Sequence, residues 1–204
     1  MPRIPASLRA LLARLIDYAG LYPPAGLPLP AVLENYQTYI DSVEAWMLNR
    51  IVLPAARLAE ARLREGWRVT LLVDSEPGPL PAQVETLETR LSHRLSLPTY
   101  CEAPIGAIQG AFAKLRTGGL TPEAIPQPEV LADFLCAAAA RRMAFKATAG
   151  LHHPIRATMH GEDGSLHLSM AQELLIRELD EPLVFKAPSW ANREKPSGAR
   201  NGSA

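Results

Sequence analysis

Lysine is the scarce residue of this 204-residue chain: four lysines stand against seventeen arginines. Arginine is the default cation here, so a lysine inside an apolar segment asks for a reason. A lysine can be tuned by burial to act as a nucleophile or base, whereas an arginine keeps its proton. Cysteine is scarcer still. Cys101 and Cys136 are too few for a disulfide framework, which points to a reduced, cytoplasmic setting with both thiols filling the core. Net charge is absent, with 21 cations against 21 acids, so no global field would draw in nucleic acid or an anionic membrane. Nor does any run approach the roughly 20 apolar residues that span a bilayer. The opening stretch, Met1 to Leu15, carries arginine without acids as a transit peptide does. Pro2, Pro5 and the scarcity of serine speak against that reading, and Ser7 is expected to cap a helix over 8–15.

What is present is an ordinary globular composition, 48% apolar, in a chain long enough to build a core without staples. Proline and glycine cluster over 21–30, and a helix is expected over 31–42. The apolar run 45–53 fits either a strand or a buried helix. Alanine, leucine, arginine and glutamate predict a helix over 55–64, ended by Gly66. Residues 67–73, Trp-Arg-Val-Thr-Leu-Leu-Val, form the clearest strand. An amphipathic helix is expected over 81–95, strands over 99–103, 111–115 and 143–147, and a helix over 129–142. A helix over 170–179 and a strand over 183–187 would follow. Residues 1–187 thus read as a single domain, with 188–204 as a disordered tail.

From Val69 onward helices and strands alternate, which predicts parallel strands joined by right-handed crossovers. The apolar continuity of Val69-Thr70-Leu71-Leu72-Val73 suits a sheet covered on both faces. The fold class is α/β, a (β/α) TIM-barrel-like domain that is incomplete in strand number. An open doubly wound sheet is the alternative. Both architectures place ligands at the C-terminal ends of their strands. Asp74, Glu102, Lys114 with Arg116, and Lys146 all fall at such ends.

Two matching segments recur at a spacing of thirty-two residues, Ala113-Lys114-Leu115-Arg116-Thr117-Gly118-Gly119 and Phe145-Lys146-Ala147-Thr148-Ala149-Gly150-Leu151-His152-His153. Each runs from an apolar stretch into lysine, threonine and glycine. On neighbouring parallel strands the two ammonium groups would approach, and like charges disfavour double protonation. A lysine so perturbed can attack a carbonyl and form an imine. The plainer alternative is that each lysine pairs with Asp74 or Glu102. The turns Thr117-Gly118-Gly119 and Thr148-Ala149-Gly150 allow close approach of a ligand, and Arg116 adds a fork for an anion.

His152 and His153 lie just past a strand end and are candidate proton donors. With His160 and His167 they match no zinc spacing, so no metal is assigned, and no cofactor is expected. Asp17, before the proline-rich loop, enters the mouth if its segment is the first strand end and is a surface or capping group if the N-terminal helix runs through it, the second being the preferred reading.

The two lysine segments resemble those of the deoxyribose-phosphate aldolase family, a (β/α) barrel of class I aldolases. That family carries a Lys-x-x-Thr-Gly motif, matched by Lys114-Leu115-Arg116-Thr117-Gly118, whose lysine forms the Schiff base. Its next strand carries a Phe-Lys-x-x-Gly-Gly type of motif, matched by Phe145 to Gly150, whose lysine tunes the first. The resemblance implies that Lys114 forms the imine, that Lys146 is its electrostatic partner and that Gly150 lies near a substrate phosphate. It places Glu102 at the end of the preceding strand and covers about residues 99–156. Arg116 replaces a small residue of the motif, Ala149 replaces a glycine, and Asp74 is the stand-in for the acidic proton relay. Over a longer stretch, Leu-Ile-Asp-Tyr-Ala-Gly-Leu-Tyr-Pro-Pro-Ala from Leu15 and Phe-Lys-Ala-Thr-Ala-Gly-Leu-His-His-Pro from Phe145, the chain is similar to a group of uncharacterised bacterial proteins, a likeness that implies no activity. Those proteins continue with a glycine-rich extension after Met159-His160-Gly161, where this chain has Glu162-Asp163-Gly164. A shortened or divergent barrel is therefore expected.

Three functional expectations follow. One is a lyase of the aldolase type using Lys114 on a small anionic carbonyl compound. Another is a phosphate- or carboxylate-binding transferase or isomerase without an imine. The third is a degenerate, non-catalytic barrel whose exposed edge favours a homo-oligomer.

Overall fold

The computed structural model describes residues 4–23, 25–119 and 124–149, and the backbone of two short strands at 158–160 and 166–168. The expected helix at 170–179, the strand at 183–187 and the tail from 188 lie outside the described residues. In chain order the elements are α1 (Ala6–Leu12), β1 (Ile16–Tyr18), α2 (Leu29–Ile40), β2 (Leu48–Pro54), β3 (Val69–Leu72), β4 (Val84–Thr89), β5 (Thr99–Cys101), β6 (Phe112–Arg116), α3 (Pro128–Ala140), β7 (Phe145–Thr148), and the antiparallel pair β8 (Thr158–His160) and β9 (Leu166–Leu168). No described helix is long and apolar enough to cross a membrane.

Strands β1 to β7 form one sheet in strict sequence order, each pair parallel. Consecutive order is the winding of a barrel. Doubly wound sheets instead reverse direction at a switch point. The sheet curls into a half-barrel.

The two faces differ in chemistry. Alternation along the strands sends Ile51, Leu53, Val69, Leu71 and Leu87 to the outer face, where Leu29, Val32 and Tyr36 of α2 pack on them. Fully burying such side chains stabilises by roughly 1.5–3 kcal/mol each. A second apolar cluster joins Cys101, Ala113 and Phe145 to Ala138, Phe134 and Leu135 of α3. The intervening residues Thr70, Thr86, Glu88, Lys114 and Lys146 are also buried, on the concave face. There Thr70 and Thr86, opposite each other in register, share a 2.8 Å hydrogen bond. The apolar continuity expected of β3 is thus broken by Thr70. The described helices α2 and α3 pack on the outer face.

Three local expectations are corrected. Pro5, not Ser7, precedes α1, and Ser7 lies within its first turn. The helix expected at 55–64 is one 3-10 turn, Ala55–Arg57, followed by further i to i+3 bonds such as Glu60 to Arg57. Gly66 takes φ +80° to turn the chain into β3 rather than to end a helix. Most consequentially, 81–95 contains strand β4. Its leucines and glutamates favour a helix, but Val84, Thr86 and Thr89 are β-branched, and pairing with both β3 and β5 overrides weak propensity. The links from β3 to β4 and from β4 to β5 consequently contain no described helix.

Candidate functional site

Lys114 and Lys146 are register partners on β6 and β7, on the concave face near the strands' C-terminal ends. They do not meet amine to amine. Glu88, from β4, stands between them: its Oε1 accepts from Lys146 Nζ at 2.6 Å and its Oε2 pairs with Lys114 Nζ at 2.7 Å. The row extends both ways. Lys146 also donates to Asp17 on β1. Lys114 also pairs with Glu102 at 3.1 Å, and Arg116 Nε donates to the other oxygen of Glu102 at 3.2 Å. The order is Asp17, Lys146, Glu88, Lys114, Glu102, Arg116. Signs alternate throughout, and three carboxylates balance three cations.

Exposure rises along the row, from 3% for the Glu88 side chain and 7% for Lys114 to 23% for Glu102 and 50% for Arg116. Buried charges cost several kcal/mol each unless paired, so the alternation is what permits Glu88 to sit so deep. Burial alone would raise the Glu102 carboxyl. The charges and hydrogen bonds of Lys114 and Arg116 overcome it and hold the group below the usual carboxylate range. Asp17 is fixed from its other side by the backbone N–H of Arg50, 3.0 Å from Oδ1.

The neighbouring turns have structural duties. Thr117 is fully buried; its hydroxyl donates to the Ala149 carbonyl at 2.5 Å, and its N–H donates to the Thr148 carbonyl at 2.8 Å. It therefore ties the ends of β6 and β7 together. Gly118 is buried, and Gly119 is exposed but pressed close to its neighbour: a Cβ there would come within 2.5 Å of Ala124 Cβ. Ala149 holds φ +65°, a left-handed conformation at the position where the resembled motif has glycine. Thr148 follows Lys146 by two residues on the same face, and its hydroxyl is shielded from solvent with no hydrogen-bond partner among the described residues.

Asp74 is exposed beyond β3, outside the row. Gly150, His152 and His153 lie outside the described residues. Among the described residues, no group of three or more His, Cys, Asp or Glu is placed to hold a metal ion.

Two residues of the site, Glu88 and Tyr22, were not foreseen, and for Asp17 the less favoured of two readings holds. Glu88 is hidden when its segment is read as a helix; the available signal was three β-branched residues in six, Val84, Thr86 and Thr89, the first two at alternate spacing. Asp17, read as a surface or capping group, instead lies in β1 and reaches Lys146, a correction that follows from β1 pairing with β2. Tyr22, in the loop after β1, has a solvent-shielded hydroxyl with no hydrogen-bond partner among the described residues. Burial, with the Glu88 charge adding to it, pushes that phenol up to about 12.

No protein-family model matches the chain, and neither a curated protein nor a solved structure matches it significantly. What the fold defines is therefore a class by architecture: a parallel α/β half-barrel with a buried, charge-balanced row across its concave face.

Proposed function

We propose that this protein is a lyase of the imine-forming type, acting on a small anionic carbonyl compound with Lys114 as nucleophile. The observation that carries this reading is Glu88 bridging both lysines at the strand ends. Lys114 has a carboxylate on each side, so the proton it must lose has an acceptor in hydrogen-bonding contact. Its free Nζ adds to the carbonyl carbon, and the oxygen takes up the proton that was lost. A second proton passes from the nitrogen to that oxygen, which departs as water and leaves a protonated imine. The protonated imine accepts the electron pair of the carbon–carbon bond that breaks, while the hydroxyl on the leaving carbon gives its proton to a flanking carboxylate and that fragment departs as an aldehyde. The enamine then takes a proton at carbon, and water hydrolyses the imine to free Lys114. Asp17 and Lys146 position Glu88, while Arg116, half exposed at the rim, would clamp the substrate's anion. The acid/base work falls to Glu88 and Glu102 rather than to the outlying Asp74. The likeness of the two lysine motifs to the deoxyribose-phosphate aldolase family supports the same assignment of Lys114.

Borohydride trapping with glyoxylate, pyruvate and glycolaldehyde phosphate tests it. Peptide mass spectrometry should find the reduced adduct on Lys114, and Lys114→Met should lose it. Labelling that persists in that variant, or wild-type protein that takes no label from any of the three, overturns the proposal.

A second reading rests on the ion pairing itself, because each lysine already lies between two carboxylates. On this reading the row holds a non-catalytic half-barrel in its curl. Lys114→Met would then lower stability with no trapped adduct in the parent protein.

A further inference from the structure

Among the described residues, the hydroxyls of Tyr22 and Thr148 are shielded from solvent without a hydrogen-bond partner, and both belong to segments flanking the charged row. An orphaned buried polar group costs about 1–3 kcal/mol, so native folds rarely carry one without a use. Thr148 lies on β7 two residues beyond Lys146 and in register with Arg116. Tyr22 lies five residues beyond Asp17, on a turn pinned by its N–H to the Ala19 carbonyl and by its own carbonyl accepting from Gly26, each at 3.0 Å. The backbone is thus held, and the phenol is left to offer its proton.

We propose that Tyr22 is an oxygen-binding residue of this site, donating a hydrogen bond to the carbonyl oxygen of the bound compound, with Thr148 holding a second oxygen of the same molecule. The assignment rests on the lyase reading and adds what the lysines and carboxylates do not supply, a neutral donor. As Lys114 adds to the carbonyl carbon, the π electrons move to oxygen, and a fixed O–H stabilises the charge that develops there. A phenol raised to about 12 keeps its proton at ordinary pH, so it acts as a donor throughout and not as an acid. No proton leaves it. The oxygen's proton comes from the acid formed when Lys114 deprotonates.

Tyr22→Phe removes one oxygen and tests the proposal. The variant should melt at or above the wild-type temperature, because deleting an unpartnered hydroxyl relieves a cost. Trapping should still label Lys114, but about 100-fold more slowly, the usual effect of removing one such donor. Thr148→Val should weaken the apparent affinity for the probe about 10-fold, the worth of one net hydrogen bond. Wild-type trapping rates in Tyr22→Phe, or a melting temperature well below wild type, would overturn the proposal. If the wild type takes no label, the lyase reading has failed, and the thermal shift with the same three probes decides separately. A shift lost in Tyr22→Phe supports oxygen binding; an equal shift, or none in either protein, rejects it.

Discussion

Asp17 on the first strand of the sheet and Lys146 on the seventh are hydrogen-bonded to each other across 129 residues of sequence. In a flat sheet of seven strands about 4.8 Å apart, edge strands would lie some 29 Å apart, far beyond side-chain reach. The contact therefore measures the curl: the concave face is folded far enough for one ion pair to join the two edges of the sheet.

Removing the charge of Asp17 should loosen that join. Asp17→Asn is expected to cost roughly 3 kcal/mol, because it leaves a buried ammonium short of one counter-charge. Urea unfolding measures it. Asp17→Asn combined with Lys146→Met should cost less than the sum of the two single changes, since each alone strands a partner.

Glu88→Gln should be the most damaging substitution in the row. It leaves Lys114 and Lys146 facing each other with a neutral amide between them, at an expected cost of about 3–5 kcal/mol. On the lyase reading it should also slow trapping at Lys114, by removing one of the two flanking proton acceptors. Comparing Glu88→Gln with Glu88→Asp by unfolding and trapping separates charge from reach.

Acid should weaken the fold through Glu102 and Glu85. For both, burial opposes ionisation but neighbouring cations win: Lys114 and Arg116 at Glu102, Arg68 and Arg50 at Glu85. A carboxyl whose folded pKa lies below its ordinary 4.5 contributes stability that is present above that value and is lost as pH falls through the folded pKa. Urea midpoints should therefore drop below about pH 4.5, and Glu102→Gln and Glu85→Gln should each flatten part of that drop. A drop of the same size in both variants would show that other groups carry it.

Tyr22 and Tyr36 should titrate late. Burial is the leading cause at both, and each phenol is pushed from 10 up to about 12. The sign is opposite to that of the carboxyls: their contribution is complete below pH 10 and is lost as pH rises through 12. Near-ultraviolet titration should show that Tyr22→Phe and Tyr36→Phe each remove one phenol that ionises near pH 12.

Ala149→Gly should stabilise the protein by about 1 kcal/mol, because φ +65° strains a residue with a Cβ and suits one without. Thermal melting checks this, and no change in trapping is expected.

The lysines were legible from sequence because they break a strong compositional habit and sit in a repeated motif. Strands β3, β6 and β7 were legible from β-branched or apolar runs with glycine after them. What escaped was Glu88, since a six-residue segment of leucine, glutamate and threonine satisfies both periods and only its partners β3 and β5 decide. Asp17 escaped for a related reason. A three-residue strand at the sheet edge has too little pattern to announce itself, and its place opposite Lys146 is fixed by the curvature of the sheet. The alternating strand pattern put the two amines on adjacent strands, as their register shows, but carried no information about the acids on β1 and β4 that hold them.

Exposure along the row runs one way, with Glu88 and both lysines sheltered and Arg116 in water. Among the described residues the row therefore meets solvent at its Glu102 end, and a substrate resting on Arg116 would lie across that opening.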